Sequence, residues 1–352
     1  MKLDLLNILV CPECKNELNP EVFAKEADGE IVDGLLICRQ PQHWYAVVSG
    51  IPRMFAGSYR GIAYRQYDGF FAKYSRYLSG FADGEYERAG IDFKLGEVAK
   101  SFGFEWTKFS DYSLDNLEEL MHPFSLNDFN GKIGLDAGCG AGRHVARCAG
   151  HAGTIVGVDL SLAVEEAYKK TRHLKNVHIV QADILKMPFR DQTFDFVYSL
   201  GVLHHLPTPQ KGFNSLVDLL KRKGEIYLWV YKRSLRKIVL DPIRRLTSKL
   251  PPRILLFIVN VISCFGYFCV IVPYRFLSKI KGIAKITPSH IREYSRYDFK
   301  VYRTDWFDRL SAPIAYNYSV GDILGWCEGK EMTAVKVKAI KDFWCYGHGV
   351  KG

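Results

Sequence analysis

Three carboxylates stand where a cofactor with amine, hydroxyl and ring groups could be held: Asp136, Asp159 and Asp183. Asp136 opens Asp136-x-Gly138-x-Gly140-x-Gly142 within GKIGLDAGCGAGRHVARCAG. Glycines at alternate positions let a chain turn sharply and bring its backbone close to a ligand. A dinucleotide loop would read G-x-G-x-x-G, but Arg143 occupies the place of its last glycine. An acidic residue at the head of the loop also opposes a pyrophosphate. It suits a cation, such as the ammonium of S-adenosylmethionine (SAM). Asp159 follows Gly140 by 19 residues, a spacing at which a carboxylate accepts from ribose hydroxyls. Asp183 and Ile184 suit an adenine, the carboxylate meeting its amine and the aliphatic chain its ring. Leu160 and Leu200 complete the expected cofactor contacts. His204 and His205 follow as candidate general bases, needed only if the acceptor must lose a proton.

A second group of residues suggests a metal. Cys11 and Cys14 form a Cys-x-x-Cys pair, and Cys38 heads CRQPQHWY. Four soft ligands on two tight knuckles make a zinc ribbon. A second Cys-x-x-Cys would place a thiol at position 41, where Pro41 stands, so His43 is the candidate fourth ligand. Both a Cys3His zinc site and a ribbon held by packing alone remain open.

Alternating strand and helix patterns must position these side chains. KIGLDA, GTIVGVD, VHIVQAD, FDFVYSL and GEIYLWVY read as five buried strands separated by helices. The spacing predicts an α/β, Rossmann-like, doubly wound sheet. SVGDILGWCEGKEM reads as a further helix, and TAVKVKAI and DFWCYGHGV as further strands.

The series LDAGCGAGR, GVDLS, QADILKMPF, FDFVYSLGVLHHLPTP and GEIYLWVY resembles class I SAM-dependent methyltransferases, in particular the ubiquinone and menaquinone C-methyltransferase group. That resemblance implies a seven-stranded sheet. It also implies that Asp136, Gly138 and Gly140 hold the methionine end of SAM, Asp159 the ribose, and Asp183 with Ile184 the adenine. LLNILVCPEC and LLICRQPQHWYAVVSGIPRM are similar to the small zinc ribbon that serves as activator subunit of tRNA, rRNA and protein methyltransferases. A Cys3His ribbon also fronts certain 23S rRNA guanine methyltransferases. FGFEW resembles ribbon-fused bacterial methyltransferases of small-molecule or glycan biosynthesis.

The expected organisation is a ribbon over 1–56 and an aromatic-rich helical segment over 57–129, lying across the cofactor mouth. A SAM-binding core over 130–232 and a mostly helical insertion over 233–318 follow. The last helix and strands of the core occupy 319–352. Trp106 and Tyr64 are expected pocket residues, and Asp305, Trp306 and Tyr316 are acceptor-site candidates.

Charge is uneven. Lys221 to Lys285 holds 15 Lys/Arg and two acids, a net +13 in a chain whose total is +10. This block brackets ILLFIVNVISCFGYFCVIVPY (254–274), 21 residues without a charge. A single crossing of a bilayer would strand the last strands away from their own sheet. The stretch is therefore a buried cap or an apolar face on a membrane, with the cations meeting anionic headgroups. Nine cysteines in 352 residues are too sparse for a disulfide scaffold. With no signal peptide at the N-terminus, the expected location is the cytoplasm, including the cytoplasmic face of the membrane.

These features lead to an expected methyltransferase for a small-molecule or lipid-linked, isoprenoid acceptor. An RNA methyltransferase holding rRNA or tRNA with the ribbon and basic insertion is the alternative. RNA ranks second because its binding favours cations interleaved with exposed aromatics. A non-enzymatic scaffold ranks last, since it leaves the cofactor motifs unexplained.

Overall fold

The computed structural model describes the chain apart from residues 40–42, 58–60, 62–64, 79–92, 110–111, 113–115, 123, 235–236, 281 and 341–343. Pro41 and Tyr64 lie outside the described residues. Eleven strands form one continuous sheet: β1 (Leu18–Lys25), β2 (Ile31–Cys38), β3 (Trp44–Val48), β4 (Ile51–Met54), β5 (Ile133–Ala137), β6 (Thr154–Asp159), β7 (Val177–Ala182), β8 (Phe194–Leu200), β9 (Leu220–Tyr231), β10 (Met332–Ile340) and β11 (Trp344–Lys351). Their order is β1-β2-β3-β4-β7-β6-β5-β8-β9-β11-β10.

The seven strands from β7 to β10 form the class I methyltransferase sheet. β5 pairs in parallel with β6 on one side and with β8 on the other, so the winding reverses there. β11 enters antiparallel to β9. Side chains of β5 to β9 are buried on both faces, which is why these strands read as apolar runs rather than alternating ones. Ligands bind such sheets at the carboxyl ends of the strands where the winding reverses.

The remaining four strands belong to the ribbon, and they make the sheet larger than the seven strands expected. β4 pairs in parallel with β7, Arg53 opposite Gln181 and Met54 opposite Ala182. The ribbon is thus an extension of the catalytic sheet rather than a bead on a linker.

Among the described helices are α1 (Phe93–Lys108), α2 (Arg143–Cys148), α3 (Ala163–Thr171), α4 (Pro209–Asp218), α5 (Lys237–Thr247), α6 (Pro252–Gly266), α7 (Phe299–Ser311) and α8 (Val320–Glu328). α6 continues through a π-helical turn, Tyr267–Ile271, and a last helical stretch, Val272–Leu277. α5 to α7 lie in the insertion. Its two ends meet where Lys232 pairs with Tyr318, so the chain leaves and re-enters the sheet at one neck. Inside the insertion, Leu255 and Val259 of α6 pack with Phe307 and Leu310 of α7 and with Phe109.

Candidate cofactor and acceptor site

A cavity of about 320 Å³ opens at the carboxyl ends of β5, β6, β8 and β9. Its candidate cofactor half and candidate acceptor half are built by different parts of the chain.

The cofactor half follows from the glycine loop. Gly138, Gly140 and Gly142 all have positive φ (92°, 50° and 72°), conformations that L side chains disfavour. Space also excludes a side chain at Gly138, where a Cβ would fall 2.3 Å from Val202. Asp136 is buried at the end of β5. Burial pushes its carboxyl up to about 8, against the neighbouring Tyr198 and the charge of Arg143. An ammonium beside it would favour the charged form.

Asp159 is held ready by three donors. Its Oδ2 accepts from Gly140 N–H at 2.9 Å, and its Oδ1 from Ser161 N–H and Oγ–H at 2.8 and 2.7 Å. Burial still pushes this carboxyl up, with those hydrogen bonds opposing it. Asp183 accepts from Leu185 N–H at 2.9 Å, capping a short helical turn. Gly138, Gly140, Asp159, Leu160, Asp183, Ile184 and Leu200 all line the cavity; Asp136 lies buried directly behind its rim.

The two histidines part company. His205 lines the cavity, whereas His204 is fully buried behind it, its ring 4.0 Å from that of Tyr231. His205 Nδ1 lies 2.5 Å from the Ile314 carbonyl oxygen. A carbonyl only accepts, so Nδ1 carries the hydrogen, and in the neutral ring Nε2 holds the lone pair.

The acceptor half is acidic and aromatic. Glu105 of α1 meets Asp305 and Asp308 of α7 along the cavity wall. Glu105 is fully buried, and among the described residues neither of its oxygens makes a hydrogen bond. Burial first, then the charges of Asp308 and Asp305, push its carboxyl well above the ordinary range. Burial also raises Asp305, against the nearby Arg309 and a hydrogen bond from Tyr294 Oη–H at 2.8 Å. Asp308 accepts from Tyr231 Oη–H at 2.7 Å. Trp106 lines the same cavity beside Gly140. Of the other acceptor candidates, Trp306 packs among Tyr302 and the α6–α7 core, and Tyr316 is exposed. Glu105, Asp308, Tyr112 and Tyr231 are cavity residues that reading the sequence missed. Asp308 carried a usable signal, lying three residues beyond Asp305 on one helix, a spacing that shares a face.

In the ribbon, one donor atom from each of Cys11, Cys14, Cys38 and His43 lies within 4.8 Å of the others. Cys14 and Cys38 sulfurs are 3.4 Å apart, and Cys11 Sγ is 3.5 Å from His43 Nδ1. Thiolates at tetrahedral zinc are separated by about 3.8 Å, so the cluster fits that ion with small adjustments. Burial pushes the Cys14 thiol up, but hydrogen bonds from Asn16, His43, Cys38 and Cys11 outweigh it and bring the thiol down to about 7. The knuckle also holds the chain that follows Asp183 and Ile184. Lys15 Nζ donates to the Met187 and Phe189 carbonyls at 2.9 and 3.2 Å, and Glu13 pairs with Lys186 at 3.1 Å.

Fold and site together define a class I SAM-dependent methyltransferase fold fronted by a zinc-ribbon-like domain. Comparison with known proteins agrees: residues 135–228 match the methyltransferase domain family, and residues 2–50 match the Trm112p-like protein family. Curated relatives include the tRNA U34 carboxymethyltransferase of Psychromonas ingrahamii, 33% identical over 129 residues, and that of a Shewanella species (strain W3-18-1), 35% identical over 129 residues. Each match covers 35% of this chain and 37% or 36% of the relative, so the chain spans little more than a third of the length of these relatives. Among solved structures, a complex of the Haloferax volcanii Trm112 methyltransferase activator with a methyltransferase aligns at 13% identity and a TM-score of 0.45. It covers 72% of this chain and 96% of that one.

These matches correct two expectations. The named relatives are tRNA enzymes, which overturns the small-molecule or lipid-linked acceptor and the ranking of nucleic acid below it. The cavity explains the error. The uncharged stretch that suggested a lipid acceptor contributes no residue to the described lining, and the acceptor side sets three carboxyls (Glu105, Asp305 and Asp308) among its aromatic walls.

Proposed function

We propose that this protein is a SAM-dependent methyltransferase acting on RNA, and that its cavity receives one extruded nucleobase. The relationship to enzymes named for a tRNA uridine carries this reading. The acceptor half supports it chemically. Burial raises the Glu105 and Asp305 carboxyls, which favours their neutral form; a neutral carboxyl both donates and accepts, which matches the edge of a base. Aromatic walls (Phe102, Phe109, Trp229, Trp344) suit stacking on its faces.

In this reading Asp136 takes the cofactor's ammonium, Asp159 its ribose hydroxyls, and Asp183 with Ile184 its adenine. SAM supplies an electrophilic methyl on a sulfonium, a leaving group that departs as a neutral thioether with the bonding electrons. The protein's work is then alignment of the acceptor behind that methyl. His205 takes the acceptor's proton at Nε2, with Nδ1 anchored on Ile314. Cys11, Cys14, Cys38 and His43 hold a structural zinc ion. No disulfide joins the described cysteines, which leaves Cys11, Cys14 and Cys38 available as metal ligands.

The test is transfer from methyl-labelled SAM into fractionated cellular RNA by the purified protein. Ribonuclease-sensitive label, lost in Asp159→Ala, supports the reading. Label confined to ribonuclease-resistant material overturns it.

A further inference from the structure

The exposed apolar surface is concentrated on α6 and its continuation. This helix runs Pro252–Leu277, and 28% of its most apolar 18-residue window is buried. It has two apolar faces. Leu255, Val259, Tyr267, Ile271 and Tyr274 recur at helical spacing and are buried against the rest of the insertion. Phe257, Val261, Phe265, Phe268 and Phe276 recur at the same spacing on the other side and are exposed. Phe257, Phe265 and Phe276 are 68%, 69% and 69% exposed. α5 repeats the pattern with exposed Val239, Ile243 and Leu246. A continuous stripe of this kind marks an interaction surface, unlike scattered exposed residues.

Charge identifies the occupant. Residues 242–292 contain nine Lys/Arg and no Asp or Glu. Arg253 lies one turn before Phe257, and Lys279 three residues after Phe276; both are exposed. The apolar stripe therefore has an exposed cation at each end, Arg253 within the helix and Lys279 just beyond its last residue, Leu277. That arrangement complements an anionic bilayer, with the stripe in the acyl boundary and the cations reaching up to headgroup phosphates. Self-association through the stripe would set these cations against those of a second copy. An RNA-binding face would interleave cations with stacking rings, whereas this one runs 21 residues without a charge. A single crossing of the bilayer is excluded, because both ends of the insertion return to one neck at Lys232 and Tyr318 and α7 packs on the helix's other face.

We propose that the exposed face of α6 and its continuation docks this protein on an anionic lipid surface. The helix lies in the membrane plane, and Arg253 and Lys279 hold lipid phosphates. This inference concerns where the enzyme sits and is independent of its acceptor.

The test is co-sedimentation of the full chain with phosphatidylcholine vesicles, with and without phosphatidylglycerol. Binding should require the anionic lipid. It should weaken on the order of tenfold or more in Phe257→Ser/Phe265→Ser, which removes apolar burial. A loss of similar size is expected in Arg253→Glu/Lys279→Glu, and high salt should mask that second loss. All four positions are exposed, and unchanged SAM binding verifies that the variants fold. Absence of vesicle binding, or equal binding to neutral vesicles, overturns the proposal. So does a wild-type dimer that Phe257→Ser/Phe265→Ser dissociates without any vesicle binding. Loss of tRNA binding in these variants, again without vesicle binding, would assign the face to RNA instead.

Discussion

Arg53, in the last strand of the ribbon, donates through Nη1 to Gln181 Oε1 of the catalytic sheet at 3.0 Å, fully buried. Gln181 in turn donates through Nε2 to the Leu160 and Ser161 carbonyls at 3.0 and 3.2 Å, the loop that follows Asp159. One side chain thus separates the ribbon from the loop that follows Asp159. Arg53 Nη2 also donates to the Val48 carbonyl at 3.0 Å and pairs with Glu165 at 2.6 Å. Within this chain, the ribbon is a structural wall of the cofactor loop.

Arg53→Ala should therefore act on both stability and cofactor binding. Breaking a buried, hydrogen-bonded ion pair costs about 3–5 kcal/mol, and Glu165 is partly exposed, so about 2–3 kcal/mol is expected. SAM affinity should fall as the Leu160–Ser161 loop loosens. Chemical denaturation and calorimetric SAM titration check the two effects. An unchanged SAM affinity would break the proposed link.

Removal of the proposed zinc ion should reach the cofactor by a second route. Lys15 and Glu13 lie at the Cys11–Cys14 knuckle and hold the chain just after Asp183 and Ile184. Cys14→Ser, or chelation, should release one zinc ion per chain and lower Tm. It should raise the KM for SAM several-fold more than it lowers kcat. Colorimetric zinc release and steady-state kinetics provide the measurements.

Asp136 predicts a pH dependence with a definite sign. Its folded-state value, about 8, lies above the ordinary 3.8. The folded state therefore holds the proton more tightly, and this group's contribution to stability falls as pH rises from about 4 to about 8. A bound ammonium favours the carboxylate, so SAM affinity should rise with pH toward 8 and then level. In Asp136→Asn the affinity should be weaker and that rise absent. Calorimetric titration across pH 6 to 9 checks both.

The two halves of the site differ in how much of them could be read from sequence. The cofactor half is local: each carboxylate ends a strand and is followed by its own loop, so strand pattern and spacing find Asp136, Asp159 and Asp183. The acceptor half joins α1, β9 and α7, which are far apart in the chain. Glu105 hides in an aromatic helix that reads as a core stripe, and Tyr231 at the end of a buried strand reads as packing. On α7, Asp305 and Trp306 are adjacent in sequence but about 100° apart around the helix, and only the first reaches the cavity. The parallel pairing of β4 was equally hidden. Its one clue was Arg53, a cation within the otherwise apolar run IPRM. For the uncharged stretch, length and composition could not say that one face of the helix would stay uncovered.

His204 and His205 should behave differently despite their adjacency. His205→Ala should lower kcat by about a hundredfold or more, the range for loss of a general base, and abolish the acidic limb of the pH–rate profile. His204→Phe fills a buried site stacked on Tyr231 and should lower Tm modestly while keeping that limb. A profile unchanged in His205→Ala would remove it from the proton path.

Glu105 offers the sharpest separation of structure from recognition. Its carboxyl is raised well above the ordinary range by burial and by Asp308 and Asp305. The unfolded chain ionises it freely above its ordinary value, so the folded state loses stability as pH rises past that value. Glu105→Gln keeps the shape and removes the ionisation, so its Tm should exceed that of the wild type at alkaline pH and converge with it in acid. Stability alone would favour the glutamine. If the acid is there to hydrogen-bond an acceptor base, the stabilised variant should show a KM for RNA raised tenfold or more, because a site built to read a polar edge is left mispaired. Its SAM affinity should be unchanged, since Glu105 touches only the acceptor half. A more stable Glu105→Gln enzyme with normal RNA kinetics would confine Glu105 to packing and move acceptor recognition to Asp305 and Asp308.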